Sequence, residues 1–559
     1  MAEVLHFSDL DTDIQLLIFK KLDRPTLHSA VQVNKRWHDM SADLLWEEPS
    51  ISRITKLASL PSLQRRQYYA SKIRRLRIRQ LSITSAFDML VFSSLQCLWL
   101  NGGDNTLRRA VHLVPYLGSR IQILAFRGCE LNSRSLDLIA YWSPHLAKLA
   151  ISGPLVDVDD FAFAFVIKSL TCLRELFLSD EFDVSAATAT FKINAELLAP
   201  KLVCLNLSHL LDPPDPEPFH MFMMSCRSLQ YLSIQRWQHL RRLKLMTGSV
   251  LGHVLKTNPL HHLVGDWLSP SLLEQVPVSP TSVHSFGKLK LLRKSGCSSS
   301  ALTILLQASS RLQYLELCLY DVTTHLFSFI GSQVQLRCLA ITSHTNDEVL
   351  SIAHLLALSS LTSLIYLEVA HRCRNVGLPV IHGLIDRKFA RLVSGFAQLT
   401  TLVIDVERPN LSVRSIRSLS QACPLLIRCA LIYDHDLYTW APTQTVPGPL
   451  FPNLVSLYLG SVLDRSGAML FIFEDVFDMP AVSIGRDWLD GEIAAMRLLN
   501  SVPRLERFGM ERTTEIGSVV KNVLVQTRPC RRLRPGGVVE MPITIFEGAF
   551  SKDDFKYYP

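Results

Sequence analysis

The sequence predicts an α/β solenoid preceded by a small helical unit. Three observations predict it. Leucine supplies 93 of the 559 residues. A core of the form L-x-x-L-x-L, in which Ile, Val, Met or Phe replaces Leu, recurs along most of the chain. The first 46 residues, by contrast, carry the four-residue apolar spacing of helices.

The N-terminal unit comes first. Leu10, Ile14, Ile18 and Leu22 recur every four residues and form one drifting helical stripe, with Leu17 beside it. Asp23 and Pro25 restart the chain, Leu27 and Val31 again stand four apart, and Val33, Asn34-Lys35-Arg36-Trp37 and Leu44-Leu45-Trp46 complete a compact three-helix unit. Asp11 is the expected cap of a first helix beginning at Thr12.

The repeats come next. Clear cores begin at Leu95, Ile121, Leu146, Leu173, Leu202, Leu229, Leu312, Leu336, Leu364, Leu399, Leu426, Leu454 and Leu505, and weaker ones at Ile73, Leu260, Phe286 and Met479. Seventeen starts between Ile73 and Leu505 give a mean period of 27 residues. Apolar residues two apart at the end of each core suit a short strand with one buried face. Between cores the spacing turns helical: Val349, Ile352, Ala353 and Leu356 stand at i, i+3, i+4 and i+7 with Asn346 as the expected cap, and 156–170 and 301–309 read alike. Strand, turn, helix and return in about 27 residues is the leucine-rich repeat. The copy at Ile121 extends to Cys129 and Leu131, the fuller pattern; most others lose the Asn or Cys. The expectation is one irregular horseshoe of about 17 repeats without a continuous Asn ladder, because a lone repeat cannot bury both its faces. The expected boundaries are 1–46 for the helical unit, 47–72 for a linker or cap, 73–529 for the repeats and 530–559 for a terminal cap or tail.

Residues about 5–46 resemble an F-box: L-P-x-E-I-x-x-x-I-F-x-x-L, then L, then V-x-K-x-W, then L-W. The remainder resembles the leucine-rich-repeat class of F-box proteins. The family's Pro is Asp11 here and its Glu is Asp13. The resemblance implies a substrate-recognition subunit that binds a Skp-type adaptor, joins a cullin–RING ubiquitin ligase through it, and holds a protein substrate on its repeats. It implies adaptor contacts at Leu10, Ile14, Leu17, Ile18, Leu22, Leu27 and Val33, with Val31, Trp37, Leu45 and Trp46 in the core of the module. An alternative is a repeat scaffold without ligase work, and Asp11 in place of Pro is its support.

If positions 1, 4 and 6 of each core point inward, positions 3, 5 and 7 line the concave face. That nominates Trp99, Arg127, Phe177, Tyr231, Lys288, Tyr314, Glu316, Tyr366, Glu368 and Tyr458 for substrate contact, with Lys148, Glu175, Gln235, Asp405 and Arg428 on the same face. Aromatics and Arg are frequent interface anchors, although aromatics favour strands in any case.

Composition excludes much else. No apolar run reaches the ~18 residues that span a bilayer, and the acidic first twenty residues do not read as an export signal. Twelve scattered cysteines without a C-x-x-C spacing read as buried thiols in a reducing compartment, cytoplasmic or nuclear. The net charge of +8 is mild for 559 residues, so no nucleic acid is expected. His261-His262 and Asp434-His435-Asp436 lack metal-ligand spacing. There is no phosphate-binding glycine loop and no nucleophile elbow, so neither a cofactor nor an enzymatic activity is expected.

Overall fold

The protein is described by a computed structural model. It covers residues 10–78, 86–102, 113–179, 182–208, 210, 214–235, 246–265, 272, 291–297, 299–309, 311–319, 323–343, 351–371, 384–405, 411–435, 437, 449–462, 494–505 and 507–510. Two compact units result, residues 1–260 and 261–558. The division falls at the end of the 31-residue step from Leu229 to Leu260. Each repeat touches only its neighbours, so such a chain can divide at any step.

The first unit opens with helices α1 (Thr12–Phe19), α2 (Arg24–Ala30) and α3 (Lys35–Glu47). Their starts are set by short polar side chains that accept orphan backbone N–H groups. Asp11 accepts from Asp13 N at 3.4 Å, Asp23 from Thr26 N at 2.9 Å, and Asn34 from Trp37 N at 2.9 Å. Helices α4 (Ile51–Ser59) and α5 (Leu63–Ala70) fill the segment before the first strand.

Among the described residues, seven strands then run parallel in chain order: β1 (Arg75–Ile78), β2 (Cys97–Asn101), β3 (Ile123–Arg127), β5 (Lys148–Ser152), β7 (Glu175–Ser179), β8 (Cys204–Ser208) and β9 (Tyr231–Gln235). Short β4 (Leu131–Asn132) and β6 (Leu155–Val156) pair apart from them. Helices α6 (Ser133–Trp142), α7 (Asp160–Ser169), α8 (Val184–Asn194), α9 (Pro216–Ser225) and α10 (Gly248–Thr257) return the chain. The leucines of positions 4 and 6, such as Leu98, Leu100, Leu176 and Leu178, are buried, as the period requires.

The second unit holds nine parallel strands among its described residues, again in chain order: β10 (His262–Gly265), β11 (Leu291–Cys297), β12 (Tyr314–Leu319), β13 (Cys338–Ser343), β14 (Tyr366–His371), β15 (Thr401–Asp405), β16 (Arg428–His435), β17 (Ser456–Val462) and β18 (Arg507–Met510). Its helices include α11 (Ser299–Ala308), α12 (Thr324–Gly331), α13 (Ile352–Ala357), α14 (Asp386–Val393) and α15 (Val413–Ala422).

Three expectations change here. Leu291 stands in register with Tyr314, the third position of its core, whereas the core read from Phe286 would make Leu291 the sixth; Phe286 itself lies outside the described residues. The observed register sets Lys294 opposite Leu317, a place the apolar pattern assigns to Leu, so the pattern alone pointed to the other frame. Strands β17 and β18 hydrogen-bond directly, Ser456 opposite Arg507, so no strand from the Met479 copy stands between them. Met479 itself, with the tail 530–559, lies outside the described residues. Helix α13 is capped by Ser351, which exchanges bonds with His354 at 3.4 and 3.1 Å; Asn346 lies outside the described residues.

Consecutive repeats are joined by side chains that reach back to helix carbonyls of the previous repeat. Asn194 donates to Ala164 O at 3.0 Å, Asn258 to Cys226 O at 3.1 Å, Gln333 to Leu306 O at 3.0 Å and Ser360 to Gly331 O at 2.7 Å. Cys226 and Gly331 stand at helix ends, where a carbonyl has no partner within its helix. Close approach at the same place fixes Gly331, where an added Cβ would fall 2.2 Å from Ala357 O.

Candidate docking site

Helix α1 divides the apolar stripe in two. Phe19 and Gln15 turn inward: Phe19 is buried with Leu27, Ala30, Met40 and Leu45, and Gln15 Nε2 donates to Leu10 O at 2.8 Å. Trp37 packs edge-on against Phe19, ring centroids 5.3 Å apart, and Val31, Leu22, Leu44 and Trp46 close the cluster from its margin. The opposite side carries Ile14, Leu17 and Ile18, which are 47%, 59% and 39% exposed; Val33, in the turn after α2, is 57% exposed. Exposed apolar side chains of this size, when they form one patch, are characteristic of docking surfaces.

Two of the seven nominated contact residues fall differently. Leu27 is 6% exposed inside the core, and Leu22 packs against that core. Helix α2 presents Leu27 to Phe19, so a partner cannot reach it without opening the module. Leu10 is half-buried.

The module is anchored to helices α4 and α5 and to strand β1. Trp46 stacks on Tyr69 with centroids 4.5 Å apart, and Tyr68 Oη donates to Asp39 at 2.7 Å. That bond is the leading reason the Asp39 carboxyl sits below the ordinary range. Burial first, and then Asp39, pushes the Tyr68 phenol up. Arg53 reaches Leu45 O at 2.8 Å and the His28 ring at 2.6 Å, and Lys72 pairs with Asp43. Glu48 bridges Arg75 and Arg77 at 3.4 Å each. The sequence showed none of these bonds, because each joins residues more than seven apart.

The second candidate surface is the sheet face of positions 3, 5 and 7. Trp99 is half-buried under the Arg77 guanidinium, 4.8 Å from its ring centroid, and Arg127 is exposed. Phe177 is buried beneath the Lys148 ammonium at 4.3 Å, and Lys148 pairs with Glu175 at 3.3 Å. Tyr231, Tyr314 and Tyr366 are 5% exposed or less, so they are packing residues. Rows of side chains on strands about 4.8 Å apart shield one another, which a reading of one strand at a time misses. Tyr314 donates to Glu316 at 2.7 Å and Tyr366 to Glu368 at 2.5 Å; Glu316, Glu368, Asp405 and Tyr458 are half-buried. Lys288 and the side chain of Gln235 lie outside the described residues.

Elsewhere, His435 is buried near Leu431 O and burial holds its pKa down at about 3. Among the described residues no group of three His, Cys, Asp or Glu side chains is placed to hold a metal ion, and no helix is long and apolar enough to cross a membrane.

Residues 7–52 match the F-box-like family model. The match covers the three capped helices and the start of α4, so Ile14, Leu17, Ile18 and Val33 are surface residues of an F-box-like domain. Solved structures similar to the chain include the Rad7–Elc1 complex of yeast, at 16% identity over 82% of this chain and 96% of the other, with a TM-score of 0.39. Another is a TLR13–ssRNA13 complex, at 12% identity over 72% of this chain and 62% of the other, with a TM-score of 0.38. No curated protein matches the chain.

Proposed function

We propose that this chain is a substrate-recognition subunit of a Skp–cullin–F-box ubiquitin ligase. The observation that carries the reading is the exposed quartet Ile14, Leu17, Ile18 and Val33 on an F-box-like domain whose own core is already closed by Phe19, Leu27, Met40 and Leu45. F-box domains bind Skp-type adaptors, and an apolar helix face of this kind gains about 1.5–3 kcal/mol for each large side chain it fully buries on docking. The cullin and the conjugating enzyme come with the adaptor, and the protein substrate is held on the repeats, in the cytoplasm or nucleus. The chain contributes proximity: it raises the effective concentration of a target lysine near the charged ubiquitin carrier, and needs no catalytic residue for that.

Asp11 stands where the family has Pro, and it caps α1. The change therefore leaves the helix start intact and removes one apolar contact from the docking face.

A pull-down of the purified full chain on a Skp-type adaptor tests the reading. Wild type is expected to bind. Leu17→Asp and Ile18→Asp are expected to weaken binding by about 100-fold or more, since each loses a buried side chain and strands a charge. Far-UV circular dichroism should not change, because both side chains stand in solvent. Absence of wild-type binding at micromolar concentrations selects the repeat scaffold without ligase work.

A further inference from the structure

The hydrogen-bonded register of strands β2, β3, β5 and β7 lines up three rows across the face opposite the leucines. The middle row reads Trp99, Ala125, Ala150, Phe177. Two alanines between two large aromatics make the low part of this row: Ala125 and Trp99 are half-buried, Ala150 is 8% exposed and Phe177 4% exposed under Lys148, and the outer two strands are three spacings apart, about 14 Å. One wall is Trp99 with the Arg77 guanidinium on its ring, and the other is Phe177 with the Lys148 ammonium on its ring. The row toward the strand ends reads Asn101, Arg127, Ser152, Ser179. Arg127 shares its face with Ala125, since Leu124 and Phe126 between them point into the core.

Charge decides what such a groove takes. Lys148 is matched by Glu175. At the Trp99 wall one carboxylate, Glu48, serves two guanidiniums, Arg75 and Arg77, which leaves positive charge uncompensated. Arg127 is exposed and has no ion pair among the described residues. The aromatic walls and alanine floor accept an extended chain, and the Arg forks at its edge suit carboxylate or phosphate groups.

The geometry points to this groove as the binding site for an extended, anionic protein segment, one that bears Asp, Glu or a phosphorylated Ser or Thr beside an apolar residue. The segment lies over Ala125 and Ala150, with its negative groups at Arg127 and Arg77. A protein occupant fits better than a nucleic acid: the face offers a short basic edge with acidic partners built into it, where nucleic acid needs a basic stripe. The inference rests on the substrate-receptor reading and names the class of substrate.

Full-length protein is incubated with arrays of degenerate nine-residue peptides whose central residue is fixed as Glu, phosphoserine, Ala or Lys, and with a labelled thymidine oligonucleotide. The Glu pool, the phosphoserine pool or both are expected to be retained above the Ala and Lys pools; phosphoserine alone identifies phosphate as the source of the charge. Arg127→Glu, at an exposed position that leaves the fold intact, is expected to lower the anionic signal about tenfold or more. Ala150→Trp, which fills the floor, should abolish it. Equal retention of the Ala or Lys pools, retention of no pool, preference for the oligonucleotide, or an anionic signal unchanged by Arg127→Glu overturns the inference. Adaptor binding by the same preparation is read separately. If it persists while the anionic preference fails, only this inference falls; if it fails while the preference holds, only the ligase role falls.

Discussion

Asn258 offers a sharp test of how the repeats hold together. It is buried at the end of α10, where its Oδ1 accepts from Leu229 N at 2.9 Å and its Nδ2 donates to Cys226 O and Val254 O at 3.1 Å each. Leu229 opens the core of the repeat that Asn258 ends, just after Cys226 closes the repeat before it, and is itself fully buried. Asn258→Ala therefore leaves the Leu229 N–H without that acceptor in a site water does not reach. A buried donor stripped of its partner costs about 1–3 kcal/mol. If the amide exchanges through local opening, that energy corresponds to roughly 5- to 150-fold faster exchange. Hydrogen–deuterium exchange read by mass spectrometry on peptides covering 226–235 is the assay, because a chain of two units need not unfold in one step. Peptides from α1–α3 should be unaffected, since each repeat senses its neighbours only. Asn258→Asp keeps an acceptor for Leu229 N, and should protect that amide better than Ala even if the buried charge loosens the helix end. Unchanged exchange around Leu229 in Asn258→Ala would refute the claim that this side chain stitches the two repeats.

The thiols should separate by burial. Among the described cysteines only Cys172 is exposed, while burial pushes Cys129 up to about 11 and Cys226, Cys338 and Cys423 up to about 12. Iodoacetamide at about pH 8 is expected to alkylate Cys172 well before those four, as read by peptide mass spectrometry; early labelling of Cys226 would contradict the packing of α9. Asp386 links the starts of α14 and α15, accepting from Ser412 N at 2.7 Å and from the Ser412 and Ser415 hydroxyls at 2.5 Å each. Burial raises its pKa, but these bonds outweigh burial and leave the carboxyl below its ordinary value. A lowered carboxylate stabilises fully above the unfolded value of about 3.9, and the contribution is lost as pH falls through the folded one. The melting-temperature gap between wild type and Asp386→Asn should narrow as pH drops from about 6 to below 4, and a gap that widens would be inconsistent with this sign.

Much of the architecture was legible in one dimension because it is periodic. The spacing of Leu95, Leu98 and Leu100, repeated down the chain, specifies a strand with one buried face, and stacking is the only way to bury what each repeat leaves open. The helix start at Thr12 was likewise readable, from Asp11, since capping is a local matter. The docking side of α1 was half legible: the stripe marked which residues are apolar, but whether Phe19 or Ile18 faces inward depends on where α2 and α3 lie. Leu27 shows the consequence, an apolar residue on the same period that serves as core.

Tertiary structure alone decided the remainder. The pattern read from Phe286 makes Leu291 a sixth-position residue, yet the ladder sets Leu291 opposite Tyr314 at the third, because register is a property of paired strands. Phe177, Tyr231, Tyr314 and Tyr366 occupy outward positions yet are buried by side chains one strand away. The Tyr68–Asp39 bond, the Asn258–Leu229 bond and the pairing of Ala125, Ala150 and Phe177 on neighbouring strands all join residues 25 to 29 positions apart. The sequence by itself determined which side chains repeat and therefore which face of each strand is core. Which of the remaining side chains meet, and so which surfaces are left for partners, was set by stacking, because contact between repeats depends on the neighbour's register as well as on a residue's own place in its period.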